Sequence, residues 1–176
     1  TATDFQVMIT PKTHAAMSAV PGASYATTAS VTSWTATNTT FSNSTDTSSA
    51  TITVDNLSPA NVTSATVTAD ALHNDLAWTN PADADVTTNG TIVVLRHATT
   101  AVSTVPVEGS TYTVGNLISA TDTVACVVTG SPPATSCIDT PLTAGTAYHY
   151  KIFARDSRGN YSQTGVALGP ATPTAP

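Results

Sequence analysis

Charge is scarce in this chain. Only 9% of its 176 residues are charged, five basic against eleven acidic, and the formal net charge is −6. Two Lys and three Arg cannot line a phosphate-binding surface, so no nucleic-acid partner is expected. No run of eighteen apolar residues occurs, so no helical membrane span is expected either. Strong helix formers are nearly missing: Glu appears once (Glu108), Gln twice (Gln6, Gln163) and Lys twice (Lys12, Lys151), which excludes a helical bundle. Aromatic residues make up 6%, enough large side chains for one sandwich of about 100 residues and few more.

What the chain has instead is hydroxyl. Thirty-seven Thr and seventeen Ser make nearly a third of it, and Ala alone supplies twenty-seven of the apolar residues. Thr and Val favour strands, and nine Gly with eleven Pro can punctuate many of them. The fold class expected is all-β.

The chain opens Thr1-Ala2-Thr3 without Met, which fits a secretory leader already removed. Scarce Lys and abundant hydroxyls suit an extracellular surface. Asn-x-Ser/Thr triplets at Asn38, Asn43, Asn56, Asn61, Asn89 and Asn160 are candidate glycan acceptors, although a Thr-rich chain also produces such triplets by chance. Cys126 and Cys137 bracket Val-Val-Thr-Gly-Ser-Pro-Pro-Ala-Thr-Ser, with strand-like runs on either side. A disulfide across a hairpin is expected and would contribute roughly 2–3 kcal/mol; two free thiols are the alternative. No further ligand for a metal lies in sequence reach, and Cys-x-x-Cys-His is absent.

Three stretches differ in character. In residues 1–58, Phe5, Val7 and Ile9 alternate with Gln6, Met8 and Thr10, the pattern of a half-buried strand that Pro11 stops. From Ser24 to Thr53, eighteen of thirty residues are Ser or Thr. An O-glycosylated stalk has that composition. Ala29 to Trp34 and Ala50 to Val54 nevertheless alternate like strands, which favours a small Thr/Ser-rich β segment. Residues 59–170 carry evenly spaced strand signals: Asn61–Thr68, an apolar face of Leu72, Leu76 and Trp78, Thr91–Arg96, Tyr112–Val114, Val124–Val128, Ser136–Asp139, Ala147–Arg155 and Tyr161–Leu168. This spacing implies a two-sheet sandwich. Residues 171–176 form a Pro-rich tail.

The run Leu142-Thr143-Ala144-Gly145-Thr146-Ala147-Tyr148-His149-Tyr150-Lys151-Ile152-Phe153-Ala154-Arg155-Asp156 resembles the E–F corner and F strand of a fibronectin type III domain. Ser157 to Ser162 looks like the family's F–G turn, Leu76-Ala77-Trp78 like its B strand, and Pro59 to Thr63 like its entry segment. The wording is similar to domains of bacterial secreted and cell-surface proteins. The resemblance covers about residues 59–170 and implies a tyrosine corner built from Leu142, Tyr148 and Trp78. Residues 98–137 exceed the family's usual connection, and the expectation there is an extra, cysteine-bearing hairpin.

Residues that carry chemistry do not assemble in the sequence. His14, His73, His97 and His149 each stand apart from a second His or Cys, and no metal site or cofactor is expected. Asp83-Ala84-Asp85 supplies too few oxygens for calcium and reads as an Asx-rich turn. No Gly-x-Ser-x-Gly elbow, facing carboxylate pair or phosphate-binding Gly loop is present. Arg158-Gly159-Asn160 lacks the carboxylate of an integrin-binding tip. Tyr25, Trp34 and Tyr112 are the aromatics left for a sugar platform.

The function expected is non-enzymatic and structural: a subunit of a bacterial surface filament or pilus-like assembly, with Phe5, Val7 and Ile9 as the assembly strand. The partner is then another copy or a separate filament chain. A passive spacer or adhesion module of a larger surface protein, and a carbohydrate-binding module, are the alternatives.

Overall fold

A computed structural model describes residues 23–30, 47–55 and 57–176, the first of these and residues 47–54 by backbone pairing alone. The chain divides into two units, residues 1–57 and 58–176. In the first, β1 (Ala23–Ser30) and β2 (Thr47–Val54) form an antiparallel ladder in unbroken register, from Ala23 opposite Val54 to Ser30 opposite Thr47. β-Branched Thr and Ile favour this pleated backbone even where apolar residues are few. Of the strand expected at Ala29–Trp34, Ala29 and Ser30 belong to β1, which starts earlier, and residues 31–34 lie outside the described residues. The strand expected at Phe5, Val7 and Ile9 lies outside them.

The second unit is an immunoglobulin/fibronectin-III-like sandwich of two antiparallel sheets. One sheet runs β3 (Thr63–Asp70), β4 (His73–Thr79), β7 (Ser136–Asp139). The other runs β6 (Thr123–Gly130), β5 (Gly90–Ala98), β8 (Tyr148–Arg155), β9 (Val166–Ala171). One helical turn, α1 (Ala84–Thr87), precedes β5 and buries Val86. Period-two alternation sends Asn74, Leu76 and Trp78 inward from β4 and Tyr148, Tyr150, Ile152 and Ala154 inward from β8. Ile92, Val94 and Cys126 meet them from β5 and β6.

β5 breaks the alternation: Ile92, Val93, Val94 and Leu95 are all buried. Its outer face is covered by residues 99–122, an irregular strap that lays Val102, Tyr112 and Ile118 over Val93, Leu95, Val124, Phe153 and Tyr161. The expected strand Tyr112–Val114 is part of this strap, because its apolar side chains serve the sheet face beneath them and it forms no ladder.

Three further expectations are corrected. The cysteine-bearing segment is not a hairpin: β6 pairs with β5 and β7 pairs with β4, so residues 131–135 carry the chain from one sheet to the other. Leu72 does not share the inward face of Leu76 and Trp78. It occupies the β3–β4 turn at φ 57° and is 37% exposed. The last strand begins at Val166, while Tyr161 makes a single bridge to Arg155. After β9 the Pro-rich end is bonded into the sandwich. Thr174 N–H donates to Asp70 O, Leu72 N–H donates to Thr174 O, and Gly145 N–H donates to Pro173 O.

Candidate functional site

β7 has only four residues, and it carries the cross-sheet links. Cys137 on β7 is joined by a disulfide to Cys126 on β6, with Cα atoms 6.5 Å apart. Two residues on, Asp139 is buried and accepts from Arg96 on β5 at 2.6 Å and from the Tyr150 hydroxyl on β8 at 2.9 Å. Asn74 on β4 donates to the same hydroxyl at 2.7 Å. Burial, reinforced by the Asp139 charge, pushes the Tyr150 phenol up, so it stays a neutral donor. Arg96 in turn lies over the Tyr148 ring, 5.6 Å from its centroid. A covalent bond and a half-buried ion pair thus add to the ladder bonds of this short strand.

At the corner before β8, Tyr148 is buried and its hydroxyl accepts the Thr143 N–H at 3.2 Å. Leu142 and Trp78 are buried in the same cluster. The Trp78 indole donates to Asn80, whose amide donates to Pro133 O, tying the β4 end to the cross-sheet segment.

The strap has its own latch. Asp122 is fully buried and accepts from His97 Nδ1 at 2.6 Å, from Thr104 Oγ1 at 2.6 Å and from Thr104 N at 3.1 Å. Burial works to raise its pKa, but the Thr104 and His97 bonds outweigh burial and hold the carboxyl below its ordinary value. The three residues resemble a catalytic set in type and not in order. Thr104 gives its hydroxyl to the carboxylate instead of the imidazole, so no base activates it.

The turn after β8 is equally committed. Asp156 Oδ1 accepts the N–H groups of Arg158, Gly159 and Asn160, and its Oδ2 accepts the Asn160 amide. Gly159 sits at φ 102°, where a side chain would be strained. Asn160 is 6% exposed, so its triplet presents no open acceptor. Asp83 accepts the Ala60 N–H and starts α1, which gives the Asp83–Asp85 stretch a structural task.

A small cleft of about 100 Å³ lies between strap and sheet, lined by Thr91, Val93, Tyr112, Val127, Arg155 and Tyr161. Arg155 lies over the Tyr161 ring, and its Nε is buried with no hydrogen-bond partner. Burial pushes the Tyr161 phenol up to about 12. Tyr112 packs against Tyr161 at 6.2 Å. Of the other candidate sugar-platform residues, Trp34 lies outside the described residues and Tyr25 is described by its backbone alone.

The sequence did not bring together Asp70, His73 and Asp75, whose ligand atoms lie within 4.8 Å of one another on the β3–β4 hairpin. The signal was present as Asp-x-x-His-x-Asp, but it becomes a cluster only when a two-residue turn puts Asp70 opposite His73. Asp122, His97 and Thr104 were missed in the same way, since the strap that joins them has no regular period.

No family model matches the chain, and no curated protein matches it. Among solved structures, it is similar to domains A168–A170 of titin at 18% identity, covering 73% of this chain and 36% of that one, with a TM-score of 0.45. It is similar to titin kinase with its flanking domains at 17% identity, covering 65% of this chain and 16% of that one, TM-score 0.41. A myokine structure is matched at 17% identity, over 66% of this chain and 99% of that one, TM-score 0.39. The chain therefore spans about a third or less of the two titin fragments.

Proposed function

We propose that this chain is a non-enzymatic structural protein of the extracellular surface, built as a subunit of a surface filament or pilus-like assembly. The observation that carries the reading is that, among the described residues, β1 and β2 form a two-stranded ladder in the same chain as a fully latched sandwich. A two-stranded ladder is marginal in water unless a third strand or a packed face supports it. A strand from a neighbouring chain supplies that support by edge addition, and the alternating segment Phe5, Val7, Ile9 has the required pattern. In the sandwich, the buried charged groups serve stability: Asp139 and Asp122 hold strands and strap. The disulfide suits an oxidising compartment outside the cell.

Light scattering and negative-stain imaging of native, untagged material test this. Regular fibres, lost on deleting residues 1–12 while the sandwich stays folded, support an assembly subunit. A monodisperse particle of one chain's mass overturns it and leaves a spacer or adhesion module.

A further inference from the structure

We propose that Asp70, His73 and Asp75 form a binding site for a divalent transition-metal ion of the zinc type, on the hairpin joining β3 to β4. Asp70 and His73 are the closing pair of that hairpin. Asp75 follows His73 by two positions on β4 and so shares its outward face, opposite Asn74, Leu76 and Trp78. Two rigid strands thus carry all three side chains, independently of any filament.

The imidazole is oriented for a cation. His73 Nδ1 lies 2.8 Å from Ala71 O. A carbonyl oxygen only accepts, so Nδ1 carries the hydrogen, and the nitrogen left to bind an ion is Nε2. That Nε2 stands 3.7 Å from Asp70 Oδ2 and 3.7 Å from Asp75 Oδ1. These separations are too long for hydrogen bonds. They are close to the spacing of ligands around zinc: bonds of about 2.0–2.2 Å in a tetrahedron put ligand atoms about 3.3–3.6 Å apart. The two carboxylates lie on part-exposed side chains within 4.8 Å of the imidazole and of each other, so the set closes on an ion by their inward movement and keeps a fourth position for water or a donor from another molecule.

The groups behind the ligands point the same way. Ala71 N–H donates to Asp70 Oδ1 at 2.7 Å, leaving Oδ2 to face the imidazole. The peptide groups of Ala71 therefore orient two of the three ligands, as the outer partners of metal ligands do. The hairpin tip is itself bonded to the C-terminal segment through Leu72 N–H to Thr174 O and Thr174 N–H to Asp70 O. Among the described residues no Lys or Arg pairs with Asp70 or Asp75 to take the place of the ion. One nitrogen and two carboxylate oxygens favour zinc and its neighbours over calcium or magnesium, which take oxygen ligands.

The experiment is calorimetric titration of the full chain, stripped of metal by a chelator, with Zn²⁺ alone and then with Ca²⁺ and Mg²⁺ at equal concentration. One equivalent of Zn²⁺ is expected to bind, with calcium and magnesium failing to displace it. His73→Gln and Asp75→Asn are each expected to weaken binding at least tenfold. Both side chains are part-exposed, and unchanged thermal unfolding without metal verifies that the variants fold. His14→Gln and His149→Gln are expected to leave zinc affinity unchanged. No zinc binding at millimolar concentration overturns the proposal, and so does zinc binding that survives His73→Gln or is lost with either control substitution.

Discussion

β4 and β5 follow one another in the chain, lie in opposite sheets and show two ways of using a strand. β4 alternates, with Asn74, Leu76 and Trp78 inward and Asp75, Ala77 and Thr79 outward. β5 buries four consecutive residues, Ile92 to Leu95. The inward faces are alike, so the difference lies outside. Among the described residues nothing covers the outer face of the β3–β4–β7 sheet, which carries His73, Asp75 and Ile138. The outer face of the β6–β5–β8–β9 sheet is roofed by the strap. One sheet is therefore stabilised from both sides and the other from one. The thinner sheet is compensated by bonds of another kind, the disulfide and the Arg96–Asp139 pair, both of which end on β7.

The comparison breaks most severely under the roof. Phe153→Ala on the covered outer face is expected to cost about 3–5 kcal/mol, as large as a loss between the sheets, because Phe153 is fully buried there. Urea unfolding measures it, and a cost under about 1 kcal/mol would mean that the strap is a loose cover. Replacing Cys126 and Cys137 by Ser is expected to cost roughly 2–3 kcal/mol and to loosen β7 before the four-stranded sheet. Hydrogen exchange resolves that order by comparing β7 amides with β8 amides.

The latch sharpens the comparison through pH. The folded Asp122 carboxyl is held below its ordinary value of 3.8, so its contribution is complete above that value and is lost as pH falls through the lower folded value. Acid unfolding curves should therefore show the strap yielding below about pH 4, ahead of the inter-sheet core. Thr104→Val removes one of the hydrogen bonds to this carboxylate, is expected to cost about 1–2 kcal/mol, and should move the loss to higher pH.

Local periodicity made the sandwich legible. The alternation from Tyr148 to Ala154, the Leu76/Trp78 pair and the spacing of turn residues are properties of short segments, and they specify strands with an inward face. Pairing was not legible. Val124–Val128 and Ser136–Asp139 read as two strands around a Pro-Pro turn, and nothing local says that they belong to different sheets. The strap was hidden for a related reason: its apolar residues, Val102, Tyr112 and Ile118, are far apart and follow no period. A clue did exist in Ile92-Val93-Val94-Leu95, since an uninterrupted apolar strand is the pattern of burial on both faces. The metal-ligand cluster required the register of one hairpin, whose turn has Leu72 in a left-handed conformation where Gly or Asn would have announced it.

The smallest expected effect is the most telling about assembly. Ile138 lies opposite Asp75 on the open face and is 60% exposed. Val93 lies on the roofed face and is buried. Val93→Thr buries a hydroxyl in place of a methyl and is expected to cost about 1–3 kcal/mol. Ile138→Thr puts the same hydroxyl into water on a β-compatible residue and is expected to stay within about 0.5 kcal/mol in the single chain. The measurement belongs in both states, the dispersed chain and the native material. If Ile138→Thr is neutral in the first and costs more than about 1 kcal/mol in the second, the open face is buried between subunits, as Val93 is buried within one. If it is neutral in both, the bare face remains solvent-exposed in the native material and subunits join elsewhere, which directs attention to the edges of the β1–β2 ladder.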